Sequence, residues 1–137
     1  MPRTSCAIGL GVPLGSRVSS PFWCPRNLTD DQLRTLARHG GVAHITLYNG
    51  FLRATGEASI IDAITHLEHA INIMGIDHVG LGTDFDGDGG VCGIANSSEL
   101  INFTLHLLRR KYSERDIQKI WGGNWLRIMT KVQNAKK

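Results

Sequence analysis

The sequence has no long apolar segment and few cysteines. In its 137 residues, no apolar run approaches the roughly 20 residues that a membrane-crossing helix needs. Met1–Ser20 also lacks the continuous apolar stretch of a secretory signal peptide. Cys6, Cys24 and Cys92 are widely spaced and odd in number, which favours free thiols over a disulfide framework. These absences predict a chain without a membrane span, in a reducing compartment such as the cytoplasm.

Dense positive charge is also scarce, although the formal net charge is +3. Basic residues cluster only at Arg109–Lys111 and, more thinly, at Lys136–Lys137. Both positions are typical of a helix C-terminus and a solvated tail, where cations suit the helix dipole. Because a nucleic-acid footprint needs a patch of basic residues, no nucleic-acid partner is predicted.

The remaining composition is globular, with 42% hydrophobic and 20% charged residues. Thr29-Asp30-Asp31-Gln32 is a capping box, and it predicts a helix that ends near Arg38 with Leu28 and Leu33 as its hydrophobic staple. Buried strands are predicted over Val42–Tyr48, which ends in the turn-like Asn49-Gly50, and over His78–Gly82. Four further helices are predicted: Ser59–Met74, Ser97–Arg110, one from Ser113 to the break at Gly122-Gly123, and one capped by Asn124 with the stripe Trp125, Ile128, Met129 and Val132.

Helices that alternate with strands predict an α/β fold with a parallel sheet. Two strands cannot complete a barrel or a doubly wound sheet, so the chain is predicted to be part of one. Met1–Cys24 shows no periodicity and is interpreted as an irregular or divergent lead-in. Residues 25–133 then form the α/β part and residues 134–137 a tail.

An acidic loop, Thr83–Asn96, follows the second predicted strand, and its Asp residues lie at the end of the segment Ile76–Asp88. In α/β barrels the chemistry lies at this carboxyl end of the strands. A rival interpretation is an EF-hand, because Asp84, Asp86 and Asp88 match positions 1, 3 and 5 of its calcium loop. The match fails at position 12, where Ala95 replaces the required Glu. A third interpretation is a turn without chemistry.

Several short motifs surround this loop in a fixed order. They are Pro25–Asp30, Leu47–Phe51, His66–His69, Gly75–Gly80, the loop motif Gly80–Gly87 (GLGTDFDG), Leu107–Glu114 and Gly122–Arg127. As an ordered set, they resemble the C-terminal region of the renal (membrane) dipeptidase family. The resemblance runs from about Pro25 to Val132.

The resemblance implies a fold and a chemistry. Members of this family are (β/α)8 TIM-type metallo-dependent hydrolase barrels that hydrolyse dipeptides with two bridged zinc ions. Asp84 is similar to the family residue that contacts the substrate and the metal-bound water, so it is the expected general base or proton shuttle. Arg26 is similar to the residue that anchors the carboxylate of the dipeptide. Tyr48 either lines the same mouth or belongs to the core.

The zinc ligands of the family are the part of the pattern that is not found here. Its two later histidines each follow a serine, and the second lies shortly before the Pro-Arg-Asn motif, where this chain has Leu14–Ser20 without histidine. The resemblance therefore implies a zinc dipeptidase whose ligands are not in this chain. We expect an incomplete, inactive fragment that needs the missing N-terminal part of the barrel or a second copy; the alternative is a non-catalytic remnant or binding module.

His66 and His69 are spaced to share a metal on one helix face. On a helical wheel both lie away from the apolar stripe of Ser59–Met74. We therefore predict that they are structural residues on the outer side of the helix.

Overall fold

The structure is a computed structural model, and it describes residues 6–7, 24 and 26–135. Its sheet is parallel, with the order β1 (Cys6–Ala7), β2 (Val42–Thr46) and β3 (Val79–Thr83). The two predicted strands are thus confirmed with slightly different ends. The short β1 falls in the predicted lead-in; apart from Cys24, the other residues of that lead-in lie outside the described part of the chain.

Six α-helices occur in the described residues: α1 (Asp30–Arg38), α2 (Asn49–Leu52), α3 (Ile60–Met74), α4 (Leu100–Arg109), α5 (Glu114–Gln118) and α6 (Asn124–Asn134). Five of them are the predicted helices. The sixth, α2, corrects the prediction of a turn at Asn49-Gly50. Over the described ranges, no helix has both the length and the apolar character to cross a bilayer.

The ends of the helices follow from local chemistry. Thr29 and Gln32 form the predicted capping box. The backbone N–H of Gln32 donates to Thr29 Oγ1, and the backbone N–H of Thr29 donates to Gln32 Oε1. Gly75 ends α3 at a φ of 85°, a conformation that glycine adopts without strain. The fold is thus the α/β arrangement that the alternation predicts.

One core joins the helices to one face of the sheet. Ala43, Ile45 and Leu47 of the β2 segment are buried in the same cluster as Leu33 of α1 and Ile64 of α3. The core continues into α4 and the helices after it through Phe103, Leu107, Ile117 and Ile120.

The start of α6 differs from its prediction. Asn124 is the first residue of the helix rather than its cap, and its buried amide donates to Ile76 O at 2.7 Å and Val79 O at 2.8 Å. The preceding glycine pair lies in a π-helical turn, where Gly122 has non-helical backbone angles, so the predicted break between α5 and α6 is present as a kink. Of the predicted apolar stripe, Ile128 is buried, whereas Met129 and Val132 are exposed.

Asn124 therefore attaches α6 to the beginning of β3, and its removal should be costly. We expect Asn124→Ala to lower the free energy of unfolding by about 2 kcal/mol, because two carbonyl groups lose their donor. Urea denaturation measures this change. The matched control is Asn134→Ala on the exposed end of the same helix, which should stay within about 0.5 kcal/mol of the unmodified chain. Equal effects of the two substitutions would contradict the proposed attachment.

Candidate active site

The carboxyl ends of β2 and β3 are joined by backbone hydrogen bonds. The register shifts between Ile45 and Thr46, so that Thr46 pairs with Thr83. Beyond this shift, the Leu47 amide donates to Thr83 O at 2.9 Å, and Tyr48 forms a bridge with Gly89. The segment after β2 and the acidic loop after β3 therefore lie side by side.

The acidic loop folds back over its own first residue. The Gly87 and Gly89 amides both donate to Asp84 O, at 3.0 and 2.8 Å. Asp84 itself has a φ of 69° and Thr83 a φ of 42°, in the left-handed region that non-glycine residues seldom adopt. Strain of this kind concentrates at functional sites, and the Asp84 side chain is exposed to solvent.

The far end of the same loop is attached to the start of α3. The Cys92 amide donates to Ala58 O at 3.2 Å, and the Ile60 amide donates to Cys92 O at 2.9 Å. Together with the bond from the Gly90 amide to Leu47 O and the bridge between Gly89 and Tyr48, these contacts hold the loop at two separate places.

Arg26 reaches the same edge of the sheet through aromatic contacts. Its guanidinium carbon lies 5.3 Å from the centroid of the Phe51 ring, a cation–π geometry. The Phe51 ring meets the Tyr48 ring edge-on, with 4.8 Å between centroids. We call this arrangement the Arg26–Phe51–Tyr48 stack. Because Tyr48 is bridged to the acidic loop, the stack connects the Arg26 and Asp84 segments.

Tyr48 is partly exposed in this arrangement, with 38% of its surface accessible. Its ring folds over α2, because a methyl group placed on Gly50 would come within 2.9 Å of Tyr48 Cε1. The side chain is therefore available at the strand ends rather than enclosed in the core.

Neither of the two paired histidines points freely outward as predicted. His66 is fully buried and donates its Nε2 proton to Leu52 O at 3.1 Å, so the prediction that it points outward was wrong. The His66 side chain is buried because α2, a helix that was not predicted, packs on this side of α3. His69 is half-buried and contacts Asp30 of α1 at 2.8 Å, so it joins two helices. The two rings thus have separate structural contacts.

Residues 6–7, 24 and 26–135 contain no group of three or more His, Cys, Asp or Glu side chains arranged to hold a metal ion. Asp84, Asp86 and Asp88 thus do not converge as an EF-hand loop requires. The described residues do not fit a zinc centre either, since such a site needs at least three protein ligands around the ion.

His44 occupies the other face of β2, where Gly80 and Gly82 make room for it. A methyl group on Gly80 would lie 2.8 Å from His44 Cδ2, and one on Gly82 would lie 3.0 Å from His44 Cβ. The ring also contacts Trp125 edge-on at 5.7 Å, beside a cavity of about 270 Å³. Burial lowers the pKa of His44 below the ordinary histidine value.

The sequence model of the membrane dipeptidase family, peptidase family M19, matches residues 16–137. The chain belongs to this family. The resemblance that the ordered motifs indicate is thereby confirmed, and the match of this M19 chain also includes the end of the predicted lead-in.

Relatives of this M19 chain agree in sequence and fold. It is 39% identical over 115 residues to an uncharacterized protein from the pqqA 5′ region of Klebsiella pneumoniae, covering 79% of the chain and 41% of that relative. It is 34% identical to dipeptidase ataJ of Aspergillus terreus, covering 81% of the chain and 28% of the relative. The chain thus spans less than half of the length of these relatives.

A solved structure gives the same result. It is a metallo peptidase from Rhodobacter sphaeroides liganded with a phosphinate mimic of the dipeptide L-Ala-D-Ala. The M19 chain matches it with a TM-score of 0.72 and 32% identity, covering 77% of the chain and 31% of that structure. The α/β prediction is therefore confirmed, and the chain matches part of the fold of a longer metallo peptidase.

The position of Asp84 depends on the absence of a side chain at residue 89. A methyl group there would lie 2.3 Å from Asp84 O and 2.4 Å from Thr83 O. We expect Gly89→Ala to lower the free energy of unfolding by about 2–3 kcal/mol, because the backbone must move to relieve the clash. Thermal or urea denaturation measures the loss. In the control Gly87→Ala, the methyl group would meet the Asp84 carboxylate at 2.7 Å, and that side chain can rotate away. A larger loss for Gly87→Ala would refute this account.

His44 gives the chain a pH dependence whose sign is fixed. Its pKa is lowered in the folded state, so the unfolded chain binds the proton more readily. Stability should therefore decline as the pH falls through about 6.5, the ordinary histidine pKa. We expect the decline between pH 7.5 and 5 to be shallower in His44→Gln, as measured by urea denaturation at each pH. Parallel curves for the two proteins would show that His44 does not cause it.

Proposed function

We propose that this chain supplies the substrate-binding part of a zinc dipeptidase, with Arg26 binding the carboxylate of a dipeptide and Asp84 acting as general base or proton shuttle. Tyr48 lines the site between them. The observation that carries the proposal is the connection of an exposed cation and an exposed carboxylate, at one edge of the sheet, through the Arg26–Phe51–Tyr48 stack.

The charges suit a dipeptide, which carries a carboxylate at one end and an ammonium group at the other. The Arg26 guanidinium can bind a carboxylate through two parallel hydrogen bonds. The Asp84 carboxylate can accept a proton from water or hold the substrate amine. Relatives are named as dipeptidases, and one of known structure is liganded with a dipeptide mimic, which supports this substrate class.

Hydrolysis would need metal ligands beyond those described. We propose that they come from a complementary N-terminal part of the same barrel or from a second copy, and that the chain by itself hydrolyses dipeptides poorly. Part of the support is negative, because the described residues hold no cluster of three or more metal-ligating side chains. The second candidate function, a non-catalytic remnant or binding module, is favoured by the same observation.

Zinc content and dipeptide binding separate these possibilities. The purified chain is analysed for bound zinc by mass spectrometry and for hydrolysis of L-Ala-L-Ala, and its binding of that dipeptide is measured by calorimetry. We expect little zinc and little turnover. Stoichiometric zinc with rapid turnover would contradict the need for outside ligands, whereas binding without turnover in every reconstitution would favour the binding module.

The role of Arg26 is tested with matched ligands and variants. We expect Arg26→Ala to weaken the binding of L-Ala-L-Ala tenfold or more, because a charged hydrogen-bonded contact is lost. Its effect on L-Ala-L-Ala amide, which has no carboxylate, should be small. The control Arg53→Ala removes an exposed arginine just after α2 and should leave both affinities unchanged. An Arg26→Ala variant that binds the free dipeptide normally would exclude the assigned role.

A further inference from the structure

The Arg26 side chain is supported by contacts with α2 at the edge of the sheet. The guanidinium lies over the Phe51 ring, and Phe51 belongs to α2, a helix of one turn. So short a helix has little stability of its own, because helix nucleation costs more than one turn of hydrogen bonds returns. The position of the ring must therefore be set by contacts from outside α2.

Two buried polar side chains provide such contacts at the last two carbonyl groups of α2. The Asn27 amide donates to Phe51 O at 2.9 Å, and His66 donates its Nε2 proton to Leu52 O at 3.1 Å. Both side chains are buried, at 7% and 0% exposure, so water competes little for these bonds. His66 belongs to the long helix α3 and thus anchors α2 to the main body of the fold.

Asn27 has a second consequence because it directly follows Arg26 in the chain. Its bond to Phe51 O ties the segment that carries the guanidinium to the helix that carries the ring. The Arg26 and Phe51 segments are thereby joined twice, by this hydrogen bond to the Phe51 backbone and by the cation–π contact between the side chains. An exposed arginine without such support would populate many rotamers, and a ligand that fixes one of them would lose affinity to the conformational entropy of the side chain.

We infer that Phe51 is a positioning residue that holds the Arg26 guanidinium for a carboxylate ligand, and that Asn27 and His66 fix Phe51 in place. This inference rests on the proposed function only for the identity of the ligand. The ring acts through Arg26, without touching the substrate, by presenting its negative face to the cation and limiting the conformations of the arginine.

The positioning itself is tested without a ligand by nuclear magnetic resonance. Protons of the Arg26 side chain should be shifted upfield by the ring current of Phe51, and the Arg26 Nε–H should show restricted motion on the nanosecond timescale. We expect both signatures to disappear in Phe51→Leu and to return in Phe51→Tyr, which keeps an aromatic face. Phe103→Leu is the matched control, since it removes another buried aromatic ring, far along the chain, that packs on Trp121.

Asn27→Ala provides an independent variant that keeps the ring. It should reduce the upfield shift of the Arg26 protons and increase the mobility of Arg26, even if Phe51→Leu fails to fold. An unchanged Arg26 spectrum in Asn27→Ala and in any folded Phe51→Leu protein would overturn the inference.

Ligand titration then relates the position of Arg26 to binding. Phe51→Leu should weaken the affinity for L-Ala-L-Ala by about two- to fivefold, the range of an exposed cation–π contact, and weaken the affinity for the dipeptide amide less. If Arg26→Ala does not affect dipeptide binding, the proposed function fails while the ligand-free spectra still decide whether Phe51 positions Arg26. If Arg26→Ala weakens binding but Phe51→Leu does not, the positioning role is wrong and the proposed function stands.

Discussion

The parallel pairing of β2 with β3 is the constraint on which the rest of the structure depends. It directs both strands to the same edge, and the register shift after Ile45 brings Thr46 level with Thr83. From there the pairing continues past the strands, through Leu47 and Tyr48, into the acidic loop. The backbone of the acidic loop, far along the chain from Tyr48, thus becomes its neighbour at Gly89, as the common carboxyl edge of parallel strands requires.

The helices and strands were predictable where short-range chemistry decides them. The Thr29–Gln32 capping box and the glycine at position 75 are local signals, and both act in the structure as the sequence indicates. Asn49-Gly50 carries a turn signal, yet α2 begins there because the Asn49 side chain is bonded to Gly56 O and the Ala58 amide instead. Such a contact between separate segments leaves no local pattern to read.

The residues of the candidate site stay predictions from the sequence, and the contacts that support them were not predicted. The ordered motifs point to Arg26, Tyr48 and Asp84, whose assigned roles stay predictions. Nothing in the periodicity identifies Phe51 as the partner of Arg26, although a Tyr-x-x-Phe spacing at a strand end was visible. His66 was assigned to the outer side of α3 because a helical wheel with one apolar stripe does not register a second packed surface. Long-range hydrogen bonds of buried polar side chains determine where His66 lies, as they do for Asn124.

The attachment of the acidic loop at two places has a mechanical consequence. Gly89 and Gly90 are joined to the Leu47–Tyr48 segment, and Cys92 is bonded to the chain at the start of α3. Backbone bonds therefore close a ring that passes through α2 and the loop. Two surface loops without bonds between them would move independently of each other. Here the closed ring joins the segment after β2 and the acidic loop into one body, and moving either of them requires breaking its backbone bonds to the other. The stretch Ala95–Ser98 between the second attachment and α4, although exposed, is bonded as well, since the Ala95 amide donates to Glu99 Oε2 and the Ser98 amide donates to Asn96 Oδ1.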